Sequence, residues 1–253
     1  MDAERDSGLF ALLAAVPIEG DLILSRLQFA QRKTYGDLEI HSGELAGKKV
    51  VIAFSGLGKI NAAAATAFML TRFPVNRLWV WGSAGAYPGL DLRISDIALA
   101  SQEILGDEGV VTLHSWESLD AIGIPVAKHH NESIFNRIPV DQVELERVRL
   151  LLTKWQDTFS GPQVHLGPFV TVSGVSGSPA RARLLRDRFG ALCENMEGGA
   201  AAQVCLRFQV PFLEIRGLSN WAGDRNKKNW CLRESLDNCQ LAVLYLLEYW
   251  DKV

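Results

Sequence analysis

Residues 194–220, ENMEGGAAAQVCLRFQVPFLEIRGLSN, decide how this chain is read. An acid-bearing segment leads into an alanine-rich helix, then a strand with a charged pair, then a Ser-Asn end. Asn195 is a good N-cap, and Glu197 then falls in the first turn, where a carboxylate suits the helix dipole. Gly198, Gly199 and Ala200 to Ala202 leave that helix start nearly bare, so another group can approach its backbone closely. Phe212 to Leu218 has the pattern of a buried strand, yet Glu214 and Arg216 fall on one face of it. Charges inside a core strand are costly unless paired. Taken singly, each residue has a bland account: a dipole-matching Glu197, a structural ion pair, a turn asparagine at Asn220. Taken together they mark a candidate site.

Outward from that stretch, the apolar run Leu9 to Val16, stopped by Pro17, reads as a central parallel strand. The spacing predicts a helix over 19–31, strands at 38–41 and 49–54, and a helix over 60–72 after the turn SGLGK at 55–59. A short strand at 78–81 is expected to end in a turn of small residues, GSAGA at 82–86, with a further strand over 94–105. Residues 106–140 read as irregular and long enough to be functional. A helix at 141–157, a strand at 164–173, the loop SGVSGSP, a basic helix, a polar loop at 221–230 and a helix ending near Trp250 complete the chain. Strands alternate with helices without linker or repeat, which predicts a single α/β domain over 1–253. Its centre is a mostly parallel, mixed, twisted sheet flanked by helices. In such sheets ligands gather beyond the carboxyl ends of the strands, where Glu19, SGLGK, GSAGA, SGVSG and Ser219-Asn220 all lie.

The 253 residues are 48% hydrophobic and 22% charged, enough for a sizeable core. A net charge of −3 gives no footprint for nucleic acid or an anionic membrane. The basic run RARLLRDR at 181–188 reads as a solvated helix face. Four cysteines without a CxxC pair and five histidines without ligand spacing predict neither a disulfide framework nor a metal site. The start MDAERDSG is acidic, and LFALLAAV is too short to span a bilayer, so the cytoplasm is the expected location.

SGLGK is not a nucleotide phosphate loop, because Ala53 holds the first glycine position and Ile60 follows the lysine. It reads better as a backbone turn packed against a ligand. What remains is two carboxylates, Glu19 and Glu197, with Ser83, Arg216 and Asn220. Carboxylates without metal or nucleophile suit hydrolysis through an oxocarbenium-like transition state, one of them activating water. A carboxylate also accepts two hydroxyl hydrogen bonds from a ribose diol, and an asparagine amide can donate to a leaving base.

AVPIEG, SGLGKINAAAAT, WGSAGA, VSG, ENMEGGAAAQVC and VPFLEIRGLSN resemble, in order, the motifs of the nucleoside phosphorylase/nucleosidase superfamily. The likeness is to its methylthioadenosine/S-adenosylhomocysteine nucleosidase branch, and within that branch to the futalosine hydrolases. ENMEG, Ser219-Asn220 in place of Ser-Asp, and the Arg225…Trp230 spacing carry this last step. The resemblance implies hydrolysis of the N-glycosidic bond of futalosine, releasing hypoxanthine, in menaquinone biosynthesis, with no cofactor and a homodimer or larger assembly. It implies that Glu19 activates water, that Met196 and Glu197 hold the ribose, that Arg216 orients the carboxylates and that Ser83 lies near water and ribose. It also puts Asn220 where an aspartate protonates adenine, and Gly177 and Ser178 where a base-stacking aromatic and its neighbour stand. The aromatic is missing here, which leaves the base platform undefined. Arg225 is expected to pair with a substrate carboxylate, against an equally weighted reading as part of a solvated turn. The rival functions are an adenine nucleosidase acting on methylthioadenosine, S-adenosylhomocysteine or aminodeoxyfutalosine, a phosphorylase, and a non-catalytic nucleoside-binding protein. Glu19 would repel phosphate, and Asn220 argues against adenine.

Overall fold

The computed structural model describes residues 8–158 and 161–252. The acidic start at 1–7 lies outside the described residues. Six strands precede the long connection: β1 (Leu9–Ala14), β2 (Gln28–Tyr35), β3 (Leu38–Leu45), β4 (Lys48–Phe54), β5 (Val75–Ala86) and β6 (Ile97–Leu105). The connection carries β7 (Val110–Val111), β8 (Trp116–Glu117), β9 (Ala127–His129), β10 (Glu132–Ile134) and β11 (Arg137–Pro139). β12 (Val164–Thr171), β13 (Cys193–Asn195) and β14 (Phe212–Trp221) follow. The helices are α1 (Asp21–Ser25), α2 (Lys59–Arg72), α3 (Gln142–Thr158), α4 (Pro179–Phe189), α5 (Gly198–Phe208) and α6 (Leu232–Tyr249).

β1 is apolar throughout because it is buried between β4 and β5, parallel to both. The sheet runs β11-β6-β12-β13-β5-β1-β4-β3-β2, and β14 pairs with both β5 and β6. Strands β5, β14, β6, β12 and β13 therefore close on one another, and Glu214 and Arg216 sit on a strand held from both sides. Around this closed half the core is aromatic: Phe10, Trp79 and Trp250 meet edge to face at 5.1–5.7 Å. α6 covers β14 and β5 and reaches the first turn of the chain, where Gln240 Oε1 accepts from the N–H groups of Leu22 and Ile23 at 2.9 and 3.1 Å.

Three expectations are corrected. The helix over 19–31 is confined to α1; Gln28 to Tyr35 is an exposed strand, turned onto β3 through Gly36 (φ 65°) and paired antiparallel with it. Its polar character belongs to a solvent-facing strand rather than to a helix face. GSAGA is not a turn, because β5 runs through it to Ala86. Small side chains let the strand pass beneath charged groups: at Gly82 (φ 150°) a Cβ would lie 2.6 Å from Glu19 Oε1 and 2.8 Å from Arg216 Nη1. Likewise Ser219-Asn220 does not end the last strand; β14 continues to Trp221, with Ser219 at a break in register. No helix among the described residues is long and apolar enough to cross a membrane.

Candidate active site

Glu19 sits on a turn of 3₁₀ helix (Pro17–Glu19) just past β1, and its side chain folds back over that strand's end. Oε2 accepts from the N–H groups of Ala15 and Val16 at 2.9 and 3.2 Å. Oε1 accepts from the Ser83 N–H at 3.0 Å and the Ser83 hydroxyl at 3.2 Å. The fully buried Trp81 donates its indole N–H to the Glu19 carbonyl at 2.7 Å. A carboxylate with this many donors is fixed in place and is only 4% exposed.

Arg216 joins it to the second carboxylate. Its Nε donates to Glu214 at 2.5 Å, Nη2 to Glu197 Oε2 at 3.3 Å and Nη1 to the Ser83 carbonyl at 3.1 Å. Burial works against the guanidinium charge, but Glu214, Glu197 and Glu19 outweigh it and push its pKa above the ordinary value. The other oxygen of Glu197 accepts from the Gly58 N–H at 2.9 Å, so the SGLGK turn spends a backbone donor on a protein carboxylate.

The helix start differs from the sequence expectation. Glu197 itself occupies the cap position of α5, and Asn195 caps from two residues earlier, accepting from Glu197 and Gly198 N–H at 3.0 and 2.9 Å. This places the Glu197 side chain on Arg216 rather than along the helix flank. Gly198 is required there, since a Cβ would run into the Glu214 carboxylate.

Asn220 is 9% exposed; its Oδ1 accepts from the Ser219 hydroxyl at 2.8 Å and its Nδ2 donates to the Trp221 carbonyl at 3.0 Å. An amide nitrogen carries two hydrogens, so one remains to donate. The SGVSG loop is held by Glu194, which accepts from the Ser176 N–H at 2.7 Å and hydroxyl at 2.6 Å. Buried Tyr87 lies beside the same carboxylate; burial, then the Glu194 charge, push the phenol's pKa far up. Gly177 is exposed with open space around it, and the Ser178 hydroxyl caps α4 by accepting from the Arg181 N–H at 3.3 Å. Met196 is half-buried between Asn195 and Glu197.

Glu19, Ser83, Glu197 and Arg216 thus form one hydrogen-bonded cluster. Asn220 pairs with Gly85, two residues beyond Ser83 on β5, while Met196 adjoins the cluster through Glu197. Arg225 does not share in the cluster's polar contacts; it is exposed, its cation 5.3 Å from the Trp230 ring centre. Sequence reading missed three supports. These are Glu194, the Gly58 N–H, and the Lys59 ammonium that holds Asp107 at 2.6 Å and Glu108 at 2.9 Å. It also missed Glu103, whose signal is a lone carboxyl within the buried run IALASQEIL. Among the described residues, no three His, Cys, Asp or Glu side chains are grouped to hold a metal ion.

A family model described as the phosphorylase superfamily matches residues 10–249. The chain belongs to the phosphorylase superfamily. Futalosine hydrolase of Thermus thermophilus is 37% identical over 204 residues, 80% of this chain and 83% of that protein. The 5'-methylthioadenosine/S-adenosylhomocysteine nucleosidase of a Geobacillus species is 29% identical over 214 residues, 84% of this chain and 85% of its own. Among solved structures, the 5'-methylthioadenosine/S-adenosylhomocysteine nucleosidase from Neisseria meningitidis in complex with methylthio-immucillin-A superposes with a TM-score of 0.82. It is 24% identical and covers 95% of this chain and 99% of that one, a likeness of fold. With nucleosidases as its named relatives, this superfamily member is an N-glycosyl hydrolase.

Proposed function

We propose that the chain, acting over 1–253 as one cytoplasmic nucleosidase domain, hydrolyses the N-glycosidic bond of futalosine and releases hypoxanthine, a step of menaquinone biosynthesis. The observation that carries hydrolysis is the disposition of charge. The Arg216 guanidinium is spent on Glu214, Glu197 and the Ser83 carbonyl, and the Lys59 ammonium on Asp107 and Glu108. Neither cation is left for phosphate, and Glu19 stands where an anionic acceptor would be repelled. Water is the acceptor this site favours.

In this reading Glu19 takes the proton of the attacking water, its carboxylate aimed by the backbone donors at 15–16 and by Ser83. Glu197, with Met196 packed beside it, binds the ribose hydroxyls and supports the developing positive charge; Arg216 keeps it aimed. Asn220 gives its remaining N–H to N7 or O6 of the base as the glycosidic bond breaks, and the backbone at Gly177 and Ser178 borders the base. Arg225, stacked on Trp230, pairs with the acidic group beyond the ribose 5′ carbon. If so, Arg225→Ala loses activity on futalosine and not on inosine; equal losses on both remove that role. The 37% identity to a futalosine hydrolase favours futalosine over methylthioadenosine.

A homodimer or larger assembly is part of the proposal. Leu57 and Ile60 flank Lys59 and are 62% and 86% exposed, and Val111 and Leu113, just beyond Glu108, are 80% and 96% exposed. Such a stripe beside the site fits burial against a second copy. Light scattering that finds only monomer at micromolar concentration removes this part.

The test is base release by purified protein from futalosine, aminodeoxyfutalosine and methylthioadenosine, each with and without phosphate. The reading requires rapid hypoxanthine release from futalosine, unchanged by phosphate. Adenine release from the other two in its place keeps the carboxylate roles and overturns the substrate.

A further inference from the structure

Glu103, on β6, is a buried carboxyl near the cluster without a part in the chemistry above. It is 0% exposed and feels the charge of the Glu214 carboxyl, also 0% exposed. Glu103 Oε1 and Glu214 Oε2 each lack a donor. The other oxygen of Glu103 has only the Thr171 hydroxyl, at 3.3 Å. That hydroxyl carries a single hydrogen and stands closer to Asn195 Oδ1, at 2.9 Å, while itself accepting from the Gly199 N–H at 2.7 Å. Glu103 is thus left without a firm donor, facing a second carboxyl.

The charges around it make this untenable for two anions. Arg216 and Glu214 face it from β14, Thr171 from β12 and the Cys193 thiol from β13, with Glu19 and Glu197 beyond the guanidinium. Four carboxyls would share one cation, since Lys59 is held by Asp107 and Glu108. Glu19, Glu197 and Glu214 each receive short bonds from N–H donors, as carboxylates do; Glu103 does not. We infer that Glu103 is a carboxylic acid that donates its proton to Glu214, so that Glu214 holds the Arg216 fork and Arg216 positions Glu197. Burial, then the Glu214 charge, push the Glu103 carboxyl well above the usual carboxylate range, in the same direction. The protonation state rests on full burial and on the two carboxyl oxygens that lack a donor; the positioning role rests on the nucleosidase reading above.

The two parts are tested separately. Infrared spectra of the wild type and Glu103→Gln in neutral water and deuterium oxide read the first. The wild type shows a protonated-carboxyl C=O stretch, displaced by deuterium, that is missing in Glu103→Gln. Glu144, whose carboxyl is also raised by burial, remains in both and cancels. Superimposable spectra overturn the inference. For positioning, Glu103→Gln keeps an N–H to donate to Glu214, whereas Glu103→Val does not. Glu103→Gln is expected within about threefold of the wild-type kcat, and Glu103→Val down by roughly tenfold or more. Equal losses overturn positioning, and so does a tenfold loss in Glu103→Gln alone if the valine variant fails to fold. If the wild type releases no base from any nucleoside, the functional reading fails while the spectra still decide the state of Glu103.

Discussion

Replacing Arg216 by methionine removes a cation that buried carboxylates share while leaving an unbranched apolar side chain in its place. Arg216 is 1% exposed, and its partners Glu214 and Glu197 are 0% and 4% exposed. The arginine Nε–Glu214 bond is 2.5 Å, and the Ser83 carbonyl also loses its guanidinium donor. Breaking a buried pair by deleting one partner costs about 3–5 kcal/mol, because the remaining charge has nowhere to go. At about 2–4 °C per kcal/mol for a chain of this size, melting should fall by roughly 6–20 °C. The partner test is Arg216→Met with Glu214→Met. Replacing a buried ion pair by apolar groups of similar volume is close to neutral, so the double variant should regain more than half of the loss. Thermal melts followed by circular dichroism at neutral pH read both. A single-variant loss below about 1 kcal/mol, or a double variant less stable than the single, would refute the view of Arg216 as a shared buried counter-ion.

Glu19→Gln keeps the shape of the side chain and removes the base, so kcat should fall by about 10²–10⁴-fold. The melting temperature should fall as well, because the amide NH2 faces N–H donors that the carboxylate accepted from. A kcat loss under tenfold would exclude Glu19 as the group that activates water. Asn220→Asp should move the ratio of kcat/KM values from 6-oxopurine towards 6-aminopurine nucleosides by roughly tenfold, the worth of one mismatched buried polar contact; an unchanged ratio removes Asn220 from base selection. Stability should also depend on pH through Glu103. Its carboxyl is raised in the folded protein, so its contribution is fully present below the unfolded value near 4.5 and is lost as pH rises through the folded one. Over that window the wild type should lose up to about 1.4 kcal/mol per pH unit relative to Glu103→Gln, measured by urea melts. Parallel pH profiles for the two proteins would contradict this.

The stretch 194–220 carried most of what was legible. A helix of alanines headed by Glu197 and a core strand with Glu214 and Arg216 have few uses outside a site, and the structure joins all three through one guanidinium. Other features were hidden for identifiable reasons. Residues 28–35 are polar and lack strict alternation because the strand is exposed on both faces, so a helical reading was as good. GSAGA reads as a turn by composition, since a glycine at 82 signals close approach as readily as reversal; only the position of Glu19 and Arg216 distinguishes the two. Asn195 reads as the cap with Glu197 in the first turn, whereas the helix starts later, with Glu197 at the cap position and its side chain on Arg216, a partner far along the chain that local sequence does not show. The Glu103–Glu214 contact depends on β14 pairing with both β5 and β6, a closure that local pattern does not encode.

The most direct measurement is hydrolysis of futalosine in ¹⁸O-labelled water with phosphate present, followed by mass spectrometry of both products. The account predicts hypoxanthine and a free sugar in equal amounts, the sugar carrying one oxygen from solvent. A phosphorylated sugar without solvent oxygen, or futalosine left intact while methylthioadenosine yields adenine, would contradict it.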